Sequence, residues 1–272
     1  MAIFEYKNMK FNYLVEGSGK PILLLNGIMM TIKSWEPVAE PLRQSNTLIR
    51  LDMMDQGQSE KQTKNYTIDE QADLVAAFVK YLGYDKVNAV GISYGGYVGL
   101  NLAIRHPEII DRLMIFNSSP ECDERDTEFF NQFMHTADLG DPYAFYLATV
   151  PLFYSTTFYL NNQEWMKKRE SLLIDFFKDK EYLQSIKRLS YSCLSHDVRD
   201  RLHTIKAPTI VINGEEDIIM PFFKQRYIFE HIPNSTYISM GKIGHVTPYE
   251  NPILFTSLVY GYINNPTFEF NI

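Results

Sequence analysis

A single serine stands among glycines in the stretch GISYGG, residues 91–96, directly after an apolar run. A turn requires glycine only where a side chain would clash, and this stretch holds more glycine than one turn needs. Gly-x-Ser-x-Gly between a strand and a helix is typical of a strained turn that presents a serine hydroxyl for reaction. Ser93 is therefore a candidate nucleophile.

Two partners for this serine stand later in the chain. A serine hydroxyl is a poor nucleophile at neutral pH, because it needs an imidazole to accept its proton and a carboxylate to orient that imidazole. Asp217 follows the apolar segment 209–212, and His245 follows the segment 236–239. If both segments are parallel strands, their carboxyl ends lie at the sheet edge where such folds bind ligands. The order Ser, Asp, His then predicts nucleophilic catalysis.

Other residues compete for these roles. Glu215 and Glu216 precede Asp217 and would reach a histidine from a different angle. The remaining histidines are expected to be helix caps or solvated side chains: His106, His135, His196, His203 and His231. The two cysteines form no CxxC pair and no HExxH motif occurs, so we expect neither a disulfide framework nor a metal site. The stretch EGSGKP lacks the spacing of a phosphate loop and is predicted to be a hairpin turn.

Short apolar segments alternate with amphipathic helical segments along most of the chain. Seven segments are predicted to be strands, and several are apolar throughout, as parallel strands covered on both faces must be. They are residues 11–15, 22–25, 47–52, 87–90, 113–116, 209–212 and 236–239. Helical spacing predicts helices over residues 69–82, 97–105 and 222–231. This alternation predicts an α/β fold with a doubly wound, mostly parallel sheet.

The strand pattern lapses between residues 119 and 197, where helical stretches are rich in aromatic residues. We expect a core formed by residues 1–118 and 198–272 and an inserted helical cap over residues 119–197. Most of the aromatic side chains are expected to hold the cap together. Phe145, Phe153 and Phe158 are candidates to line an apolar pocket. The basic stretch KKR at 167–169, with Lys187 and Arg188, could recognise an acidic carrier or a phosphate, but a solvated helix face is the favoured interpretation.

Composition narrows the class of protein. The chain has 272 residues, 45% of them hydrophobic and 22% charged, as in ordinary globular proteins. A net charge of −7 argues against an electrostatic grip on nucleic acid or anionic lipid. The start of the chain lacks the apolar stretch of a secretory signal, and no apolar run near it could span a bilayer. We expect a cytoplasmic protein without nucleic-acid or membrane partners.

Five stretches, in this order and spacing, carry a resemblance to a known family: LLLNG, LDMMDQGQS, GISYGG, INGEED and IGHVTPYENP. The chain resembles α/β-hydrolases of the capped, single-domain esterase and lactonase type over residues 10–263. The resemblance implies that Ser93 is the nucleophile, His245 the base and Asp217 the acid. It also implies that the backbone N–H groups of Ile28 and Tyr94 form an oxyanion hole.

The resemblance departs at one position, since this chain has Asn26-Gly27 where the family usually has His-Gly. Backbone amides would hold the oxyanion, so activity should survive, but the hydrogen bonds around Asn26 should differ. Asn26 is also a candidate pocket residue.

The expected function is that of a metal-independent serine hydrolase without a cofactor. It would cleave a small-molecule carboxylic ester, thioester or lactone through an acyl-enzyme. A serine at position 93, in place of aspartate, argues against a dehalogenase or an epoxide hydrolase. Two alternatives stay open: a receptor that binds a small molecule without turnover, and a carbon–carbon bond hydrolase or cofactor-free haloperoxidase. The sequence leaves the oligomeric state open.

Overall fold

The computed structural model describes residues 1–265, so residues 266–272 of the expected core lie outside the described residues. One eight-stranded sheet has the order β1-β2-β4-β3-β5-β6-β7-β8. The strands are β1 Ala2–Tyr6, β2 Met9–Gly17, β3 Lys20–Leu25, β4 Asn46–Leu51, β5 Val87–Ile92, β6 Ile110–Phe116, β7 Thr209–Gly214 and β8 Ser235–Met240. The pairs β1–β2 and β2–β4 are antiparallel and all other neighbours are parallel. The predicted doubly wound, mostly parallel sheet is confirmed.

The helices flank this sheet or form an insertion within it. They are α1 Glu36–Arg43, α2 Ile68–Tyr81, α3 Tyr94–Arg105, α4 Glu124–Leu139, α5 Pro142–Thr149, α6 Thr156–Asn161, α7 Gln163–Phe176, α8 Lys180–Cys193, α9 Phe222–His231, α10 Thr247–Glu250 and α11 Pro252–Asn264. All seven predicted strands fall on β2 to β8, and the three predicted helices fall on α2, α3 and α9. The first strand, β1, was not predicted.

One turn differs from expectation. Residues 16–21 connect β2 to β3, but these strands do not pair, because β4 lies between them. The predicted hairpin is therefore wrong. Gly17 and Gly19 have φ values of 79° and 122°, and a side chain on either would collide with the backbone near Asn46. Glycine is required here because the chain crosses tightly over the start of β4.

The core has two apolar layers, one on each face of the sheet. Helices α2 and α3 cover one face and helices α1 and α11 cover the other. Helix α2 begins at the N-cap Thr67, whose hydroxyl accepts a hydrogen bond from the Glu70 N–H. Its apolar face buries Leu74, Val75 and Phe78 completely. Each such side chain stabilises the fold by about 1.5–3 kcal/mol relative to exposure.

Helices α4 to α8 lie between β6 and β7 in the chain, and we call this segment the helical insertion. Aspartate side chains at Asp123, Asp141 and Asp179 and the hydroxyl of Ser155 accept hydrogen bonds from the first turns of four of its helices. It falls within residues 119–197, and its limits as a separate unit stay a prediction. Among residues 1–265, no helix has both the length and the apolar character needed to cross a bilayer.

Candidate active site

Ser93 sits in a strained turn between β5 and α3. Its φ of 53° and ψ of −119° lie in a region that residues other than glycine rarely adopt. The turn is held because the Ser93 N–H donates to the Phe116 carbonyl at 2.9 Å and the Ser93 carbonyl accepts from Ser118 Oγ at 2.9 Å. Gly91 and Gly95 are needed because a side chain on either would collide with neighbouring backbone. Together these contacts fix the serine where β5 ends.

Asp217 and His245 meet at the same edge of the sheet. His245 Nδ1 lies 2.8 Å from Asp217 Oδ2, and both residues are buried. The other oxygen, Asp217 Oδ1, accepts the backbone N–H groups of Ile219 and Met220 at 2.9 Å each. These bonds fix the carboxylate, and the carboxylate in turn fixes the imidazole ring. Nε2 is then the ring nitrogen left to act in the cavity that His245 lines together with Ser93.

The competing carboxylates have other partners. Glu216 accepts hydrogen bonds from the Thr157 N–H at 2.9 Å and from Thr157 Oγ1 at 2.5 Å, and these bonds hold its pKa below the usual value. Glu215 accepts from Ser239 Oγ at 3.2 Å. Within residues 1–265, the carboxylate that contacts His245 is that of Asp217, and not that of Glu215 or Glu216. Glu216 instead links the sheet edge to the start of α6.

Asn117, which sequence reasoning missed, links the end of β7, the strand before Asp217, to the loop after β8 that carries His245. Its Nδ2 donates to the carbonyls of Gly244 at 3.0 Å and His245 at 2.8 Å, and its Oδ1 accepts the Gly214 N–H at 2.8 Å. Its φ is 47°. Asparagine tolerates this conformation better than most residues. The available signal was a polar residue directly after the apolar strand β6, at the edge where Ser93 also lies.

Glu250 joins the histidine loop to the helical insertion. Its carboxylate accepts the Gly244 N–H at 3.1 and 3.2 Å, Ser155 Oγ at 2.6 Å and the Ser155 N–H at 3.0 Å. Burial raises the pKa of this carboxyl, against the opposing effect of these donors. The His245 N–H also donates to the Phe153 carbonyl at 2.9 Å. The histidine is therefore held from both sides of the cavity.

Ile28 and Tyr94 both line the cavity that contains Ser93 and His245. Tyr94 is the first residue of α3, so its backbone N–H has no acceptor within the helix. Neither amide donates a hydrogen bond to any residue of the described chain, 1–265. Both are thus free to bind an oxyanion formed at Ser93, as the resemblance implies.

Asn26 does not line the cavity and is fully buried behind it. Its Oδ1 accepts Trp35 Nε1 at 2.6 Å, while its Nδ2 donates to the Leu51 carbonyl at 2.9 Å and to Gln56 Oε1 at 3.0 Å. Gln56 Nε2 donates in turn to the Gly27 carbonyl at 3.0 Å. The expectation of Asn26 as a pocket residue is corrected: its side chain anchors the loop that carries the Ile28 amide.

The cavity has about 950 Å³ of empty volume, its open mouth included, and its wall is mainly apolar. Of the three expected phenylalanines, Phe153 lines it. Phe145 and Phe158 do not, which corrects that expectation. Phe145 is fully buried and packs edge-on against Phe177 at 4.9 Å, and Phe158 stacks on Tyr154 at 5.5 Å. Further aromatic residues of the wall were not singled out as pocket residues: Tyr97, Phe129, Phe130, Phe133, Tyr154, Phe176, Phe177, Tyr182 and Tyr249.

The other histidines lie outside the cavity wall. His106 contacts Asp73 at 2.8 Å, His231 contacts the Tyr227 carbonyl at 2.8 Å, and His135 and His203 are exposed. His196 departs from the expected solvated state, because it is buried and stacks on Tyr97 at 4.2 Å. No group of three or more possible metal ligands occurs in the described part of the chain.

Comparison with known proteins agrees with this geometry. The family model of the alpha/beta hydrolase fold matches residues 20–252. The chain belongs to the α/β-hydrolase family. Its sheet order agrees with this family, and the chain is placed among the hydrolases.

Two relatives and two solved structures are similar to this chain. "Putative carbamate hydrolase RutD" of Yersinia enterocolitica is 26% identical over 248 residues, covering 90% of this chain and 88% of that protein. The hydrolase YugF of Bacillus subtilis is 24% identical, covering 94% of each. MGS-M2, an α/β-hydrolase enzyme from a deep-sea Medee basin metagenome, is 35% identical with a TM-score of 0.97 and full coverage of both chains. The enol-lactonase of Burkholderia xenovorans, at 21% identity and TM-score 0.86 over 97% of this chain and 100% of that one, shares the fold.

Proposed function

We propose that this α/β-hydrolase cleaves a small-molecule carboxylic ester, thioester or lactone through an acyl-enzyme on Ser93. The observation that carries the proposal is the convergence of three features on one cavity. Ser93 stands in a strained turn, His245 contacts Asp217 at 2.8 Å, and two free amides lie on the same wall. Nucleophile, base, orienting carboxylate and oxyanion donors are the parts that acyl transfer requires.

In the proposed reaction, Ser93 Oγ attacks the substrate carbonyl carbon while His245 Nε2 takes the hydroxyl proton. The carbonyl π electrons move onto oxygen, and the N–H groups of Ile28 and Tyr94 bind the resulting oxyanion. Asp217 stabilises the imidazolium and stays ionised. When the carbonyl re-forms, the bond to the leaving oxygen or sulfur breaks and His245 returns the proton to it. Water then attacks the acyl-enzyme by the same steps and releases the acid.

The cavity wall supports an organic acyl or alcohol group as substrate. Aromatic and aliphatic side chains surround the reacting groups, which favours apolar substrate parts and excludes bulk water. The name of the RutD relative adds carbamates to the substrates worth testing on this chain. The proposed substrate is a small molecule, with neither nucleic acid nor membrane as partner.

A substrate panel combined with covalent labelling tests the proposal. Esters, thioesters, lactones and carbamates of graded acyl length are assayed for multiple turnover with wild type, with Ser93→Ala and with Ser239→Ala, which changes an exposed serine. A fluorophosphonate should modify Ser93 in wild type and in Ser239→Ala, with the adduct located by mass spectrometry. Stoichiometric binding without multiple turnover across the panel would instead support the receptor alternative and overturn the proposal.

A further inference from the structure

The basic stretch Lys167-Lys168-Arg169 divides between solvent and cavity. Both lysines are exposed on α7, as a solvated helix face predicts. Arg169 is half-buried and lies on the cavity wall together with Ser93 and His245. It is the only lysine or arginine on that wall within residues 1–265. The interpretation as a solvated face therefore fails at its third residue.

Arg169 is surrounded by aromatic side chains, and its guanidinium hydrogen-bonds the neutral hydroxyls of Tyr154 and Tyr249. Its guanidinium lies 4.8 Å from the centroid of the Tyr249 ring and 5.9 Å from that of Trp165. Its Nε is buried without a hydrogen-bond partner in the described part of the chain. The side chains that hydrogen-bond it are tyrosines, and no carboxylate of residues 1–265 forms an ion pair with it. Cation–π contact and hydrogen bonds to neutral hydroxyls compensate the positive charge only in part.

Arg188 on the neighbouring helix α8 shows the contrast. It is also half-buried, and it binds both oxygens of the buried Asp55, with Nε at 2.9 Å and Nη2 at 2.6 Å. Such a forked pair is the arrangement that arginine favours when it leaves water. Arg188, outside the cavity, thus has a carboxylate partner, whereas Arg169, on the cavity wall, has none among the described residues.

A guanidinium stays charged at any accessible pH, and burying an unpaired charge is costly. A ligand carboxylate entering the cavity would satisfy Arg169 and would be drawn to it through a poorly solvated environment. One cation suits a monoanion better than a phosphate dianion. The apolar wall between Arg169 and the reacting groups suits a hydrocarbon spacer between the carboxylate and the scissile bond.

We propose that Arg169 selects substrates that carry a carboxylate in addition to the ester, thioester or lactone to be cleaved. The inference rests on the proposed function for its reaction, but not for its binding. Arg169 is a specificity-determining residue in this scheme, because it binds a part of the substrate that does not react. Its guanidinium packs against the ring of Tyr249, which lines the same cavity.

Two six-carbon acyl substrates isolate the effect of the charge. The p-nitrophenyl hemiester of adipate differs from p-nitrophenyl hexanoate by a terminal carboxylate in place of a methyl group. Wild type should favour the hemiester at least tenfold in kcat/KM, mainly through KM, since a charge-assisted hydrogen bond adds about that much. Arg169→Met should reverse the preference and Arg169→Lys should retain part of it. Lys168→Met, on the exposed face of the same helix, should behave as wild type.

The inference is overturned if wild type prefers hexanoate, or if Arg169→Met leaves the ratio unchanged in a folded protein. Binding of monomethyl adipate and methyl hexanoate to Ser93→Ala, measured by calorimetry, separates this outcome from failure of the proposed function. Arg169-dependent binding of the anion without hydrolysis by wild type would reject the esterase reaction and keep the anion site. Hydrolysis of neutral esters without any Arg169 dependence would do the reverse. Should Arg169→Met fail to fold, Arg169→Lys and the wild-type substrate ratio still decide.

Discussion

The two walls of the cavity hold their side chains by different interactions. At the sheet edge, backbone groups fix the reacting residues: Asp217 accepts two N–H groups, and the Ser93 turn is pinned by the Phe116 carbonyl. In the helical insertion, packing between rings positions wall residues such as Phe177, which packs edge-on against the buried Phe145. Hydrogen bonds to a backbone are short-range and directional, whereas ring packing tolerates several arrangements. The edge is therefore suited to chemistry and the insertion to variation in substrate.

The largest effect should come from removing the nucleophile. Ser93→Ala should lower kcat by roughly 10⁶, because the three residues act as a unit. Thermal unfolding should be almost unchanged, since the turn depends on Ser93 backbone groups and not on its hydroxyl. Steady-state kinetics beside calorimetry check both parts. Activity within tenfold of wild type would remove Ser93 from the proposed reaction.

Removing the charge that orients His245 should have the next largest effect. Asp217→Asn should lower kcat by about 10⁴, because an amide at this position favours the wrong imidazole tautomer. Glu216→Gln is the matched control: it changes the preceding residue, which contacts Thr157 and not the histidine. It should cost far less in kcat. A large loss of kcat in Glu216→Gln with little loss in Asp217→Asn would mean that Glu216, and not Asp217, orients His245.

The difference between the walls also explains what the sequence could predict. Ser93 follows β5 directly, and Asp217 and His245 lie in the loops just after β7 and β8, so strand position alone places them at one edge. The same logic would have placed Asn117. Strand β1 was missed because it is an antiparallel edge strand, exposed at three of its five residues, in which Glu5 interrupts a short apolar start.

No comparable rule predicts from the sequence which side chains of the helical insertion face the cavity. Phe153 and Phe158 are five positions apart and equally apolar, yet only Phe153 reaches the cavity. Their directions depend on how Glu216 and Glu250 dock the start of α6 onto the sheet edge. That docking joins residues some sixty and ninety-five positions apart. The residue pattern within one helix does not reveal this docking. For the same reason, Arg169 was expected on a solvated face and not on the cavity wall.

The pH dependence of the free energy of unfolding tests the junction between the helical insertion and the core of the sheet, where His196 lies. Burial lowers the pKa of its imidazole from 6.5 to about 4, and its carbonyl binds the Cys122 N–H where the insertion begins. Because the folded pKa is depressed, the stability present above pH 6.5 is lost as pH falls toward 4. The difference amounts to about 3 kcal/mol. His196→Gln should flatten this part of the unfolding profile measured in urea.

His135→Gln, at an exposed histidine of α4, controls for general acid effects. Its unfolding free energy should follow the wild-type curve from pH 7 to pH 4. Equal slopes for wild type, His196→Gln and His135→Gln over this range would show that His196 does not couple protonation to folding.

The smallest expected effect separates cavity from packing within the insertion itself. If Phe153 lines the acyl site, each added CH₂ of a p-nitrophenyl ester should gain up to about 0.8 kcal/mol, close to fourfold in kcat/KM, until the cavity is full. Across p-nitrophenyl esters from acetate to decanoate, Phe153→Ala should enlarge the cavity and shift the chain length with the highest kcat/KM toward longer chains. Phe158→Ala removes an equal ring that stacks on the wall residue Tyr154 without lining the cavity itself, so it should lower stability and leave the optimal chain length unchanged. If both variants shift the optimum alike, the two rings act through the docking of α6 as a whole, and the distinction between a wall residue and a packing residue does not hold there.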